Sequence, residues 1–170
     1  MVEANPHAND ILKEINVPYE IVALSNEEKT LDFYVEKSNW LSKGASFYKE
    51  VSEFYEEGKY DVYQIPTKTL DSRNYFEGEK IDLIKIDVQG SEYDIILGGQ
   101  KTLERTEYVI MELSLIEYNE NAPGKKMVIE KMAELDFYIA DFLEYTYTKT
   151  NDSCMIIQID VLFKKIKKLI

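Results

Sequence analysis

Two stretches, IDLIKIDV at 81–88 and YVIMELSLI at 108–116, are nearly unbroken apolar runs rich in β-branched residues. Runs of this length and composition suit strands buried on both faces of a sheet. Between them SEYDIILGGQKTLER (91–105) reads as a helix interrupted or reoriented at Gly98-Gly99. Strands alternating with helices imply an α/β layered fold with a mostly parallel sheet.

The flanking sequence fits that frame. NPHANDILKEI (5–15) predicts a short helix capped by Asn5, with Pro6 at its first position and Ile11, Leu12 and Ile15 on one face. YEIVAL (19–24), TLDFYV (30–35) and DVYQIP (61–66) read as strands, the last ended by Pro66. Residues 46–57 place Phe47, Val51, Phe54 and Tyr55 on one helical face, with Gly58 closing the run. Asn121 and Pro123 open a helix along which Val128, Met132 and Leu135 align. FYIADF and CMIIQIDVLF form a closing antiparallel hairpin.

With 170 residues, 45% hydrophobic, and no repeat or Pro/Gly-rich linker, the chain is expected to be one domain over 1–170. No apolar run approaches the roughly 20 residues of a membrane span, and MVEANPHAND lacks the charged start and apolar stretch of a signal peptide. A single cysteine excludes a disulfide framework, so a soluble, cytoplasmic protein is expected. A net charge of −12 repels phosphate backbones and argues against a nucleic-acid partner. Lys164, Lys165, Lys167 and Lys168 are read as a solvated tail.

The chemistry gathers where the first apolar run ends, in KIDVQGSEYDIIL (85–97). In α/β sheets ligands bind beyond the carboxyl ends of strands. Lys85 and Asp87 share a strand face by period-2 alternation, and a lysine in an apolar strand calls for a carboxylate partner. The pattern admits two readings of Asp87 and Glu92: functional acids, or a turn residue and a helix-start acid favoured by the macrodipole. Glu112 sits near the end of the second run, and Glu3 precedes the first helix, where a carboxylate can accept both hydroxyl hydrogens of a ribose. His7 reads as a surface residue and Cys154 as a core residue. No P-loop, CxxC or HExxH motif is present, and no metal site is expected.

The stretch from TKTLDSRNYF to NENAP, with TLD (69–71), KIDVQGSEYDIIL, GGQKTL (98–103) and MELS (111–114), resembles the central block of FkbM-type methyltransferases. VEANP (2–6), ALSN (23–26) and QIDVLF (158–163) extend the resemblance over nearly the whole chain. The resemblance implies a Rossmann-like class I sheet, S-adenosylmethionine as cofactor, and methylation of a hydroxyl on a small molecule or glycan. It implies Glu3 and Asn5 on the ribose side, Ser25 and Asn26 near the adenine, and Asp87 at the methyl-transfer end. Glu92 and Lys85 would stand beside Asp87, with Glu112 and Trp40 on the acceptor side. Gln89 stands where many members have glutamate.

The family's first strand and glycine-rich turn have no counterpart, so the domain is expected to be N-terminally truncated. Either the sheet rearranges or interior edges stay unpaired, and weak cofactor binding is expected. Two rivals follow: a non-catalytic methyltransferase-like remnant with a binding role, and a divalent-metal enzyme built on Asp87, Glu92 and Glu112.

Overall fold

The computed structural model describes residues 1–37, 45–51, 58–73, 75, 78–117, 119–149 and 154–167. The two apolar runs form β6 (Ile81–Ile86) and β7 (Thr106–Ser114), paired in parallel with Ile84 opposite Val109. The chain between them forms α2 (Glu92–Leu97) and α3 (Gln100–Glu104), broken at the two glycines as predicted. Close packing explains why both positions are glycine. A Cβ on Gly98 would lie 2.2 Å from the Ser25 carbonyl oxygen, and one on Gly99 would lie 2.9 Å from the Ile95 carbonyl oxygen.

After α4 (Lys125–Glu134) the chain closes with β8 (Phe137–Lys149) and β9 (Cys154–Lys165), giving a four-stranded sheet in the order β6-β7-β9-β8. Its core joins Ile86, Val109, Met111, Leu113, Val161 and Phe163 of the sheet to Ile95, Ile96, Leu103, Val128 and Met132 of the helices. Burying each such side chain contributes about 1.5–3 kcal/mol. The predicted alignment of Val128 and Met132 therefore faces this sheet.

The N-terminal part builds two smaller sheets. β1 (Val2–Glu3) pairs in parallel with β2 (Glu20–Ile21), and β3 (Ala23–Leu24) joins β5 (Tyr60–Lys68) and β4 (Thr30–Glu36) in the order β3-β5-β4. Asn5 caps the predicted helix, its side chain accepting the His7 N–H, over a 3-10 turn (Pro6–Ala8) and α1 (Asn9–Glu14).

Several expectations are corrected. The sheets are mixed, not mostly parallel: beyond the expected antiparallel hairpin β8–β9, the long ladders β4–β5 and β7–β9 are antiparallel too. β6 is not buried on both faces. It is an edge strand, with Asp82 and Lys85 exposed and Leu83 51% exposed, because among the described residues it has a partner on one side alone. Pro66 does not end β5: it stands opposite Thr30 while Thr67 N–H donates to Lys29 O, so the missing proline N–H faces away from that ladder.

Residues 46–51 are not helical, since Ser46 exchanges backbone hydrogen bonds with Tyr34, and Lys49 O accepts from Glu120 N–H; 52–57 lie outside the described residues. Cys154 is exposed at the far end of the β8–β9 hairpin instead of in the core. The C-terminal lysines are not simply a solvated tail. Lys165 Nζ donates to Leu135 O at 2.7 Å, satisfying a carbonyl at the end of α4, and Lys164 lies 5.3 Å from the Tyr108 ring centre. Lys168 lies outside the described residues.

Candidate active site

β6 releases the chain at Ile86, and the next five residues turn to enter α2. Gly90 makes the turn possible. Its φ of 90° is left-handed, and a Cβ there would lie 3.1 Å from Ala122 Cβ. The turn brings Gln89 and Glu92 over the carboxyl end of β7, where Glu112 stands two residues before the strand ends.

These groups line a cavity of about 230 Å³ with Val88, Leu113 and Gln158 among its walls. A larger depression of about 350 Å³ lies at the opposite, amino end of β6 and β7, lined by Lys80, Glu107 and Lys167. Chemistry favours the smaller one: it holds the buried Glu92 beside the partly buried Glu112, whereas Glu107 in the larger is occupied by salt bridges to Lys80 and Lys167.

Glu92 is 7% exposed, and its Oε1 accepts the Gly90 N–H at 3.2 Å. Burial above all, with the charges of Glu112 and Asp87 adding and the backbone N–H bonds opposing, pushes its carboxyl up to about 8. It is therefore mostly protonated at neutral pH, and can donate or accept a proton close to the working range of a cell. Glu112 Oε1 accepts from Gln89 Nε2 at 3.1 Å and from Gln158 Nε2 at 2.8 Å. Partial burial raises the Glu112 carboxyl above the ordinary glutamate value, while the Gln89 hydrogen bond opposes that rise. Carboxyl groups, amides, the Lys125 and Lys126 side chains and an apolar wall together make a site for a small polar molecule.

Lys85 and Asp87 form the predicted pair, at 2.9 Å. Both are about half exposed, and Lys85 also approaches Asp160 at 3.9 Å. The Asp87 hydrogen bond holds the Lys85 ammonium above its usual range. Asp87 does not line the cavity, but its negative charge helps raise the Glu92 and Glu112 carboxyls.

Glu3, Asn5, Ser25 and Asn26 lie elsewhere, at the ends of β1 and β3, and none lines this cavity. Glu3 Oε1 accepts Asn5 N–H at 2.7 Å, and Oε2 takes no hydrogen bond from the described residues. Asn5 is buried as the helix cap. Ser25 is 2% exposed and donates its hydroxyl to Asn26 Oδ1 at 3.2 Å. Asn26 Oδ1 also accepts from Lys29 Nζ, leaving its amide nitrogen unbonded to the described residues. Trp40 lies outside the described residues. His7 faces Tyr63, with 3.3 Å between Nε2 and the phenol oxygen. Among the described residues no three acidic, histidine or cysteine side chains stand close enough to hold a metal ion.

Sequence reasoning missed Gln158 and Asn119. Gln158 sits in β9, forty-six residues from the Glu112 it touches, and only antiparallel register brings them together. Alternation along β9 was the available signal, since it places Gln158 and Asp160 on one face.

No solved structure matches the chain. A relative named 2-O-methyltransferase NoeI, from Sinorhizobium fredii (strain NBRC 101917 / NGR234), is 30% identical over 129 residues, 71% of this chain and 53% of that protein. The chain thus spans about half the length of that curated relative. The family model described as the methyltransferase FkbM domain matches residues 1–148, and the chain belongs to that family of methyltransferases.

Proposed function

We propose that this domain serves S-adenosylmethionine-dependent methylation of a hydroxyl on a sugar or other small polyol. The carrying observation is the buried Glu92 carboxyl beside Glu112 in a cavity at the carboxyl ends of β6 and β7. The relative's description as a 2-O-methyltransferase supports a hydroxyl acceptor. A Rossmann-like reading of the sheet is supported by the parallel β6–β7 pair joined through α2 and α3.

Part of the donor set fits the cofactor. Glu3 offers a carboxylate oxygen at the end of a parallel strand, suited to ribose hydroxyls, and the Asn26 amide nitrogen can donate to the adenine. The Ser25 hydroxyl is turned inward and contributes through its backbone at most. When bound, S-adenosylmethionine supplies an electrophilic methyl group open to in-line attack. The chain's own residues would do the rest. Glu112, held by Gln89 and Gln158, orients the acceptor hydroxyl, and the ionised Glu92 carboxylate takes its proton as the oxygen becomes alkylated. Asp87, fixed by Lys85, keeps negative charge near the reacting oxygen. The apolar wall of Val88, Leu113 and Val128 limits water.

The test is transfer of labelled methyl from S-adenosylmethionine to a panel of methyl glycosides. Label in the sugar with loss in Glu92→Gln supports the reading; no label on any glycoside, with or without added upstream sequence, refutes it. We place the protein in the cytoplasm, because its exposed Cys154 suits a reducing compartment; among the described residues no helix is long and apolar enough to cross a membrane. A non-catalytic binding role is the second reading, favoured by the β6 edge, which has no strand partner among the described residues and leaves Leu83 half exposed.

A further inference from the structure

The turn that carries Gln89 and Glu92 is held from behind by two other parts of the chain. Asn119, in the loop between β7 and α4, donates from Nδ2 to the Gln89 carbonyl oxygen at 3.0 Å and to Ser46 Oγ at 3.1 Å. Ser46, 4% exposed and bridged to β4, donates its own hydroxyl to the same Gln89 oxygen and accepts Tyr48 N–H at 3.0 Å. Its single proton and two lone pairs are thus all used.

Tyr48 then reaches past the turn, its OH donating to Asp94 Oδ2 at 2.5 Å in α2. Burial together with this bond pushes the Tyr48 hydroxyl well above its ordinary range, so it stays a donor throughout the physiological range. A Cβ on Gly90 would sit 3.3 Å from Asn119 Nδ2, so the turn and the clamp fill one space. Ser46 and Asn119, 43 and 30 positions from Gln89 in sequence, meet on its one carbonyl oxygen.

We propose that Asn119 is a positioning residue for the acid-bearing turn, acting through the Gln89 carbonyl with Ser46 as its second anchor. With that carbonyl fixed outward, the Gln89 side chain is aimed inward to Glu112 at 3.1 Å, and the Gly90 N–H is aimed at Glu92. Releasing the carbonyl frees the turn to lift, which admits water to Glu92 and breaks the amide hold on Glu112. The proposal rests on the methyl-transfer reading only for what the acids do; the clamp itself is independent of it. Asp87 from the end of β6, Glu112 from β7 and the Tyr48 hydroxyl act electrostatically on Glu92, and Glu117 from the loop after β7 with Lys125 and Lys126 from the start of α4 line the same cavity.

The test follows the Glu92 carboxyl directly. Protein labelled with ¹³C at glutamate carboxyls is titrated by NMR between roughly pH 5 and 10, a range that brackets the expected Glu92 midpoint, and the Glu92 signal is identified by its loss in Glu92→Gln. Asn119→Ala and the uncharged, similar-sized Asn119→Leu are compared with Glu120→Gln, an exposed neighbour in the same loop. The Asn119 variants should lower the Glu92 midpoint by about one pH unit or more as water enters, and Glu120→Gln should leave it in place. Unchanged midpoints in folded Asn119 variants overturn the proposal. If neither Asn119 variant folds, Ser46→Ala gives the same reading with the same two outcomes. No cofactor or acceptor is needed, so failure here leaves the methyl-transfer reading standing, and failed methyl transfer leaves this result interpretable.

Discussion

Replacing Glu92 by glutamine should change how stability depends on pH. The Glu92 carboxyl is raised from the ordinary 4.5 to about 8, first by burial and then by the neighbouring charges of Glu112 and Asp87. A carboxyl raised in the folded state favours the protonated form there. Its contribution is fully present below the unfolded value and is lost as pH rises through the folded one.

At ~1.4 kcal/mol per pH unit, the separation between 4.5 and about 8 caps the loss at roughly 5 kcal/mol. A realised loss of about 2–4 kcal/mol is expected, since water penetration and rearrangement relieve part of a buried charge. Glutamine keeps the shape and the acceptor for Gly90 N–H, and it cannot ionise. Urea unfolding at pH 4, 6 and 8.5 should therefore show Glu92→Gln gaining on the parent by about 2–4 kcal/mol between the first and last condition, with unchanged m. Other groups titrate in both proteins. Glu28 and Glu107, lowered by lysine partners, act in the opposite direction, and the difference between the two proteins cancels them. Parallel stability curves for the two proteins would refute the reasoning.

Three further outcomes follow from local geometry. Gly98→Ala places a methyl 2.2 Å from the Ser25 carbonyl oxygen, and should cost more than about 3 kcal/mol in denaturant titration, since backbone on both sides must move. Asp71→Ala removes a cap on α3, where Asp71 Oδ1 accepts Thr102 N–H at 2.8 Å and Oδ2 accepts Lys101 N–H at 3.1 Å; a loss of about 1–2 kcal/mol is expected by the same method. Gly90→Ala meets both a left-handed φ and the Ala122 side chain, so it should cost about 1–3 kcal/mol in thermal unfolding and also lower the Glu92 titration midpoint.

The parts of the fold written in short-range pattern were legible in the sequence. β6, β7 and the closing hairpin follow from apolar runs, and the break between α2 and α3 from paired glycines. The Lys85–Asp87 pair follows from alternation along one strand. What escaped was decided by distant partners. The helical spacing of Phe47 and Val51 was genuine, but Phe47 instead packs its ring 5.1 Å from that of Phe33, and the backbone of 46–50 bonds to β4 and to residues 119–120.

The same cause explains the edge position of β6. An apolar run states that a strand can be buried, and only the neighbours decide whether it is. Within the candidate site, sequence identified Glu92 and Glu112 as acids near strand ends. It could not give the burial of Glu92, which depends on a turn sealed by Asn119 and Ser46. Asp71 shows the converse. The TLD stretch stands out as part of the family resemblance, and its aspartate serves here as a cap for a helix thirty residues on.

The central claim is that the Glu92 carboxyl receives the acceptor's proton during methyl transfer. The most direct measurement is the pH dependence of kcat with S-adenosylmethionine and a saturating methyl glycoside, for the parent and Glu92→Gln. The account predicts a parent rate that climbs tenfold per pH unit and levels near 8, where Glu92 ionises, and a variant slower by about 10²–10⁴ with that limb missing. A variant with the parent's rate and profile would contradict it.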